Sequence, residues 1–214
     1  LTSSNGTSWT ARSSGTSRDL HGVTYGNSTF VAVESQLILT SSNNGTTWTS
    51  TSSGTSRDLN GVTYANSTFV TVGTSGTILT SSDGISWVSS SISEVGSDHL
   101  SNVAYGNNIF VLTGNANSKI YTSSNLTSAT IRKSCSGSCK AVTYGNNKFI
   151  VGASQKIYTS SSDGSTWSET WPSGVSNLYI RGIIYANSIY VAVGASGTIL
   201  TSSDGTTWTS RTSG

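Results

Sequence analysis

Few residues in this chain have the type and spacing to do chemistry, and they fall into three groups. The first is an Arg-Asp pair in a polar loop, Gly15-Thr16-Ser17-Arg18-Asp19, which returns as Gly54-Thr55-Ser56-Arg57-Asp58. Arg and Asp hydrogen-bond sugar hydroxyls in fixed planes, and an aromatic face completes a sugar platform. Trp171 and Tyr179 stand outside the repeated aromatic positions and are the candidates for that face. Only these two copies of the loop keep the pair; later ones carry Asp98-His99, Ser138 and Tyr179. Copies of a shared ligand site should stay alike, so sugar binding is the secondary expectation. The second group is Cys135 and Cys139, in Cys-Ser-Gly-Ser-Cys. Two thiols with no His nearby fall short of a four-ligand zinc site. A local disulfide is expected, and two unpaired thiols are the alternative. The third group comprises acids and bases. His21 and His99 occupy non-equivalent repeat positions, Glu34, Glu94 and Glu169 belong to different repeats, and the Asp residues stand isolated at turns. Catalysis needs such groups to converge. The expectation is a non-enzymatic chain with no metal and no cofactor.

The composition narrows the partners. Of 214 residues, 46 are Ser and 32 are Thr, charged residues make up 9%, and the formal net charge is +2. Eleven scattered Lys and Arg cannot supply the dense basic surface that nucleic acid requires. No stretch approaches the ~18 consecutive apolar residues of a membrane helix. The chain opens at Leu1 with no basic or apolar leader, which suggests processing or a piece of something longer. A disulfide and a hydroxyl-rich, weakly charged surface suit an extracellular or cell-surface location. Five triplets have the N-glycosylation pattern, at Asn5, Asn27, Asn44, Asn66 and Asn125. Composition alone would give roughly six, so only their placement in expected turns carries information.

The positioning elements come from a repeat. Tyr recurs at Tyr25, Tyr64, Tyr105, Tyr144 and Tyr185, and residues 13–31 match 52–70 at 17 of 19 positions. Each period of about forty residues reads as four short strands. In the first these are Leu20 to Tyr25, Thr29 to Val33, Leu37 to Ser41 and Thr47 to Ser50, with Gly26-Asn27 and Asn43-Asn44-Gly45 as turns. Phe30-Val31-Ala32-Val33 is apolar on both faces, so that strand must be covered twice. An all-β propeller of five four-stranded blades meets this demand, and a β-solenoid is the alternative. The expected blades are 20–58, 59–99, 100–138, 139–179 and 180–214, with 1–19 a surplus N-terminal hairpin, all in one domain.

A second phrase links an acid or amide, a Gly and a Trp. It occurs at Asp83 with Trp87, Asp163 with Trp167, Asp204 with Trp208, Asn5 with Trp9, and Asn43 with Trp48. This resembles the Asp-box, or bacterial neuraminidase repeat, of sialidase-type and photosystem II assembly factor-type propellers. Most copies are one residue shorter than the standard turn. The physics of the phrase is structural: the side-chain oxygen accepts turn N–H groups, the Gly takes positive φ, and the Trp covers the hairpin. Repeat three breaks the pattern, with Asn125-Leu126 for Asp-Gly and Ala129 for Trp, and the disulfide is expected to compensate in part for the lost Trp contact.

Counting strands leaves one hairpin too many for five blades. Either the N-terminal hairpin or residues 197–214 completes blade five, and the displaced one is a donor to another chain. The function expected is a non-catalytic extracellular scaffold, either the subunit of a surface filament or a repeat domain of an adhesin. Its partners are copies of itself by hairpin exchange or other surface proteins. The alternative is a multivalent lectin whose partners are glycans. No nucleic acid and no membrane insertion are expected.

Overall fold

Two kinds of turn set the strand ends in the computed structural model, which describes residues 1–175 and 178–212. The inner turn of every repeat holds two successive residues at positive φ, as at Asn27 (46°) and Ser28 (58°). Asn66-Ser67, Asn107-Asn108, Asn146-Asn147 and Asn187-Ser188 do the same. Paired positive φ gives the two-residue hairpin whose twist matches antiparallel strands. Gly26, expected in this turn, instead ends a strand. Its missing Cβ makes room for the next blade's Tyr: a Cβ at Gly26 would lie 2.0 Å from the Tyr64 ring. Gly106 and Gly145 admit Tyr144 and Tyr185 in the same way.

The chain is all-β, and its five four-stranded antiparallel sheets are the blades of a β-propeller. Two compact units divide it, residues 1–73 with 77–90, and 74–76 with 91–214. The first unit holds blade 1, with β1 (Gly22–Gly26), β2 (Thr29–Val33), β3 (Leu37–Ser41) and β4 (Thr49–Ser52). It also holds blade 2, with β5 (Leu59–Ala65), β6 (Thr68–Gly73), β7 (Ile78–Ser81) and β8 (Val88–Ser90). Val31, Val33, Leu59, Val62 and Phe69 pack as one cluster between these blades.

The second unit holds three blades. Blade 3 comprises β9 (Leu100–Gly106), β10 (Ile109–Gly114), β11 (Lys119–Ser123) and β12 (Thr130–Ser134). Blade 4 comprises β13 (Cys139–Gly145), β14 (Lys148–Ala153), β15 (Ile157–Ser160) and β16 (Trp167–Thr170). Blade 5 comprises β17 (Ile180–Ala186), β18 (Ile189–Gly194), β19 (Ile199–Ser202) and β20 (Thr209–Arg211). In every sheet the strands pair in chain order, so each blade is a simple meander. Blade 5 is therefore completed by its own C-terminal hairpin.

The N-terminal hairpin joins none of these sheets. Among the described residues 1–19 there is no strand, only one bridge in which Thr2 and Thr10 exchange backbone bonds of 2.9 and 2.8 Å. The register is still that of an outer hairpin: Thr2 opposite Thr10 corresponds to Thr201 opposite Thr209 in blade 5. Arg12 Nε donates to Thr2 Oγ1 at 3.1 Å, as Arg211 Nε donates to Thr201 Oγ1 at 2.9 Å. Residues 1–12 match 200–211 at nine of twelve positions. A Cβ at Gly45 would meet the Thr2 methyl at 2.9 Å, just as one at Gly164 would meet that of Thr122 at 3.5 Å. Residues 1–12 thus sit against blade 1 in the register of an outer hairpin.

Cys135 and Cys139 form a disulfide, with Cα atoms 6.2 Å apart, inside the apolar cluster of Val111, Ile120, Phe149 and Tyr158. It lies at the other end of the outer strand from Ala129, the position of the missing Trp. Ala129 precedes β12 and Cys135 follows it, and a five-residue strand separates them by roughly 16 Å. The turn itself also differs: Leu126 takes the Gly position at φ 62° and is buried.

Candidate functional site

The Asp/Asn turns are built to hold the backbone. Asp83 Oδ1 accepts the N–H groups of Ile85 and Ser86 at 2.8 Å each, and Asp204 Oδ1 those of Thr206 and Thr207 at 2.7 Å each. Asn5 Oδ1 accepts Thr7 and Ser8 at 2.9 Å, Asn43 accepts Thr47 at 3.0 Å, and Asp163 accepts Ser165 at 3.0 Å. The indole N–H groups of Trp9, Trp48, Trp87 and Trp167 donate to the carbonyls of Gly6, Gly45, Gly84 and Gly164 at 3.0–3.1 Å. Trp208 differs, because its Nε1 is buried without a partner. The N–H groups of Ser86 and Ile85, then the Ser81 hydroxyl, pull the Asp83 carboxyl down to about 2. The Ser161 hydroxyl and then the Ser165 N–H hold Asp163 at about 2, and the Thr207 and Thr206 N–H groups hold Asp204 lower still. One carboxylate oxygen of each, Oδ1, is thus committed inside its turn.

The five glycosylation triplets all present their Asn at the surface of turns or bends. At Asn5 and Asn125 the carboxamide oxygen makes the turn bonds, so the nitrogen that carries a glycan is not the atom the turn uses.

The Arg-Asp loops of the first unit are alike in structure as in sequence. The N–H of Arg18 donates to Thr16 Oγ1 at 3.1 Å and that of Arg57 to Thr55 Oγ1 at 3.1 Å. Arg18 and Asp19 lie at the surface near Glu34, whose carboxylate is fully buried. Thr16 Oγ1 donates to Glu34 Oε2 at 3.1 Å, while Oε1 has no partner.

The second unit contains the cleft that sequence reasoning reached only in part. It occupies about 470 Å³ and is lined by Ser154, Gln155, Trp171, Leu178, Tyr179, Arg181, Ala195 and Ser196. Three segments build it: the turn between β14 and β15, the connection from β16 to β17, and the turn between β18 and β19. Trp171 is half exposed, and its Nε1 donates to the carbonyl of Val175 at 3.2 Å, which holds the ring in place. The Arg181 guanidinium lies over the Tyr179 ring, 5.3 Å from its centre. Trp171 and Tyr179 thus line one cleft, and among the described residues that line it none belongs to an Arg-Asp loop. The polar groups that line it, beside the two aromatic side chains, are Ser154, Gln155, Arg181 and Ser196, unmarked by any motif.

A second feature lies on the sheets themselves. In the first unit Val23 and Tyr25 of blade 1 are 63% and 55% exposed, whereas Val62, the equivalent of Val23 in blade 2, is 9% exposed. Leu20 is 47% exposed where Leu59 is buried. In the second unit Ile184, Ile189 and Val193 of blade 5 are 58%, 43% and 44% exposed, whereas Thr113, the equivalent of Val193 in blade 3, is 0% exposed. Both terminal blades present to solvent the apolar face that other blades bury against a neighbour.

No protein-family profile matches this chain. No curated protein sequence matches it either. Solved structures do. YCF48 bound to D1 peptide aligns with a TM-score of 0.67 at 16% identity, covering 91% of this chain and 67% of that one. YCF48 from Cyanidioschyzon merolae aligns with a TM-score of 0.69 at 15% identity, covering 96% and 75%. The WD40 β-propeller domain of Doa1 aligns at 0.66 and 14% identity, covering 86% and 64%. At these identities the likeness is one of fold.

Proposed function

We propose that this chain is a non-catalytic structural scaffold at the cell surface or outside the cell, a subunit that joins copies of itself through its terminal blades. One observation carries the reading: the two uncovered faces are the two halves of the contact already used between blades. Within the first unit Val62 and Tyr64 of blade 2 pack on blade 1. Val23 and Tyr25 are the same residues one repeat earlier, and Val193 stands where Val33 receives blade 2. A face that buries its apolar side chains gains about 25 cal/mol per Å² removed from water. The N-terminal hairpin supports the same reading. Its outer-hairpin register makes it interchangeable with β19 and β20, so exchange between copies replaces like with like. Such head-to-tail contact is heterologous and propagates into a filament.

The disulfide and the hydroxyl-rich surface support the extracellular location, and the Asp/Asn-Gly-Trp turns are read as Asp-box repeats that stiffen each blade. A protein partner is in keeping with the peptide bound by one YCF48 structure. A multivalent lectin is less well supported, because the repeated Arg-Asp loops do not share a cleft with the aromatic platform. Electron microscopy of the native material at several concentrations tests the proposal. Continuous filaments with one propeller per axial repeat are the expected result, and isolated particles at every concentration would overturn it.

A further inference from the structure

We propose that the cleft between Trp171 and Arg181 binds an acidic saccharide, a pyranose carrying a carboxylate. The proposal is independent of the scaffold reading, since it rests on side chains of blades 4 and 5 alone. Three features of the cleft specify the ligand. The first is the Trp171 indole. Its N–H is already donated to the Val175 carbonyl, so what it offers is a fixed, half-exposed apolar face. A flat ring of this kind suits the C–H face of a pyranose, which is apolar on one side and hydroxylated at its rim.

The second feature is charge. Among the described residues that line the cleft, Arg181 is the one ionised side chain and none is a carboxylate. It lies over the Tyr179 ring, 5.3 Å from its centre, and a guanidinium held over an aromatic face keeps its N–H donors for a ligand. A guanidinium edge meets a carboxylate through two parallel hydrogen bonds, a geometry that a lone hydroxyl cannot match. The third is the remaining polar surface, the Gln155 amide and the hydroxyls of Ser154 and Ser196, which are neutral groups suited to sugar hydroxyls. The volume of about 470 Å³ lies inside the ~300–1,000 Å³ range of small-ligand sites and fits a short saccharide better than a protein surface.

Calorimetric titration of the intact protein with a glucuronic acid-containing disaccharide, and with its neutral glucose counterpart, tests the assignment. The acidic disaccharide is expected to bind saturably and at least about tenfold more tightly than the neutral one, a difference of about 1.4 kcal/mol. Trp171→Ala should abolish binding of both, while Trp171→Phe, which keeps a flat ring, should retain most of it. Arg181→Gln should remove the preference and leave both sugars weakly bound. Circular dichroism of each variant separates a lost site from a lost fold. Absence of heat for both sugars up to about 10 mM overturns the proposal. So does equal affinity of the wild type for the two sugars, unchanged binding in Trp171→Ala, or tighter binding of a short acidic peptide than of the acidic disaccharide.

Discussion

The aspartates of the turns each spend one carboxylate oxygen on the backbone N–H groups that follow. Asp83 and Asp163 lose their protons at about 2, well below the ordinary value of 3.8, because N–H and hydroxyl donors point at the ionised oxygen. A carboxyl whose folded value is depressed adds stability above its unfolded value, and that contribution is lost as pH falls through the folded one. The window therefore runs from about pH 4 down to about pH 2. The melting temperature should be level between neutral pH and about 4, then fall steadily toward 2. Asp83→Asn, Asp163→Asn and Asp204→Asn together should flatten that fall, since an amide oxygen accepts the same N–H groups without titrating. Asn5, Asn43 and Asn125 already do so in this chain. Scanning calorimetry from pH 7 to 2 decides the matter, and an unchanged acid limb in the triple variant would sink it. These turns were legible in the sequence because oxygen, Gly and Trp recur at fixed spacing. Arg181 and Gln155 were not, because the cleft is made by three connections distant in the chain and each residue is ordinary where it stands.

At the scale of the element, blade 1 shows how one side chain moves a strand end. Sequence equivalence puts the start of the first strand at Leu20, since β5, β9, β13 and β17 begin at the matching residues Leu59, Leu100, Cys139 and Ile180. In the structure β1 begins two residues later, at Gly22. The cause lies across the hairpin. Blades 2, 3 and 5 have Gly73, Gly114 and Gly194 opposite that start, and blade 4 has Ala153. A Cβ at Gly73 would stand 2.0 Å from the Asp58 carbonyl oxygen, so the backbones there touch. Blade 1 has Glu34 at this place; the His21 N–H still bonds the Val33 carbonyl at 2.9 Å, but the ladder stops short of pairing Leu20 with Glu34. Glu34 also buries a carboxylate oxygen without a partner, a loss of about 1–3 kcal/mol. Glu34→Gly should let β1 begin at Leu20 and stabilise the protein by about 1 kcal/mol, after about 0.5–1 kcal/mol is lost to glycine entropy. A rise of about 2–4 °C in melting temperature, with new amide protection at Leu20, is the expected reading. A lower melting temperature with no new protection would show that Glu34 is held by interactions worth more than the pairing it prevents. The strand ends that the sequence misplaced elsewhere have a similar origin: β4 begins at Thr49 rather than Thr47 because Trp48 still belongs to the turn, its N–H bonded to Gly45.

For the whole molecule the decisive question is what covers the faces that blades 1 and 5 leave open. Periodicity alone could announce that every blade needs two neighbours; it could not say which faces lack one, because Val23 and Val62 stand in near-identical sequence and differ only in what lies beside them. The internal contact supplies a ruler for the missing one. Val62 packs in the same cluster as Val33, so in a head-to-tail assembly Val23 of one copy should approach Val193 of the next at a similar distance. Replacing both with Cys, in Val23→Cys/Val193→Cys, places two thiols at that contact, while the native pair is already closed as a disulfide. Mild oxidation should then produce a ladder of covalent dimers, trimers and longer species on denaturing gels, and neither single variant should extend beyond a dimer. Charge at the same contact should act in the opposite sense: Ile184→Asp, added to the Cys pair, puts a carboxylate into a surface that must be dry and should abolish the ladder. A band that stays monomeric but migrates faster after oxidation would mean that the two faces meet within one chain, and the assembly reading would then give way to a self-sufficient propeller.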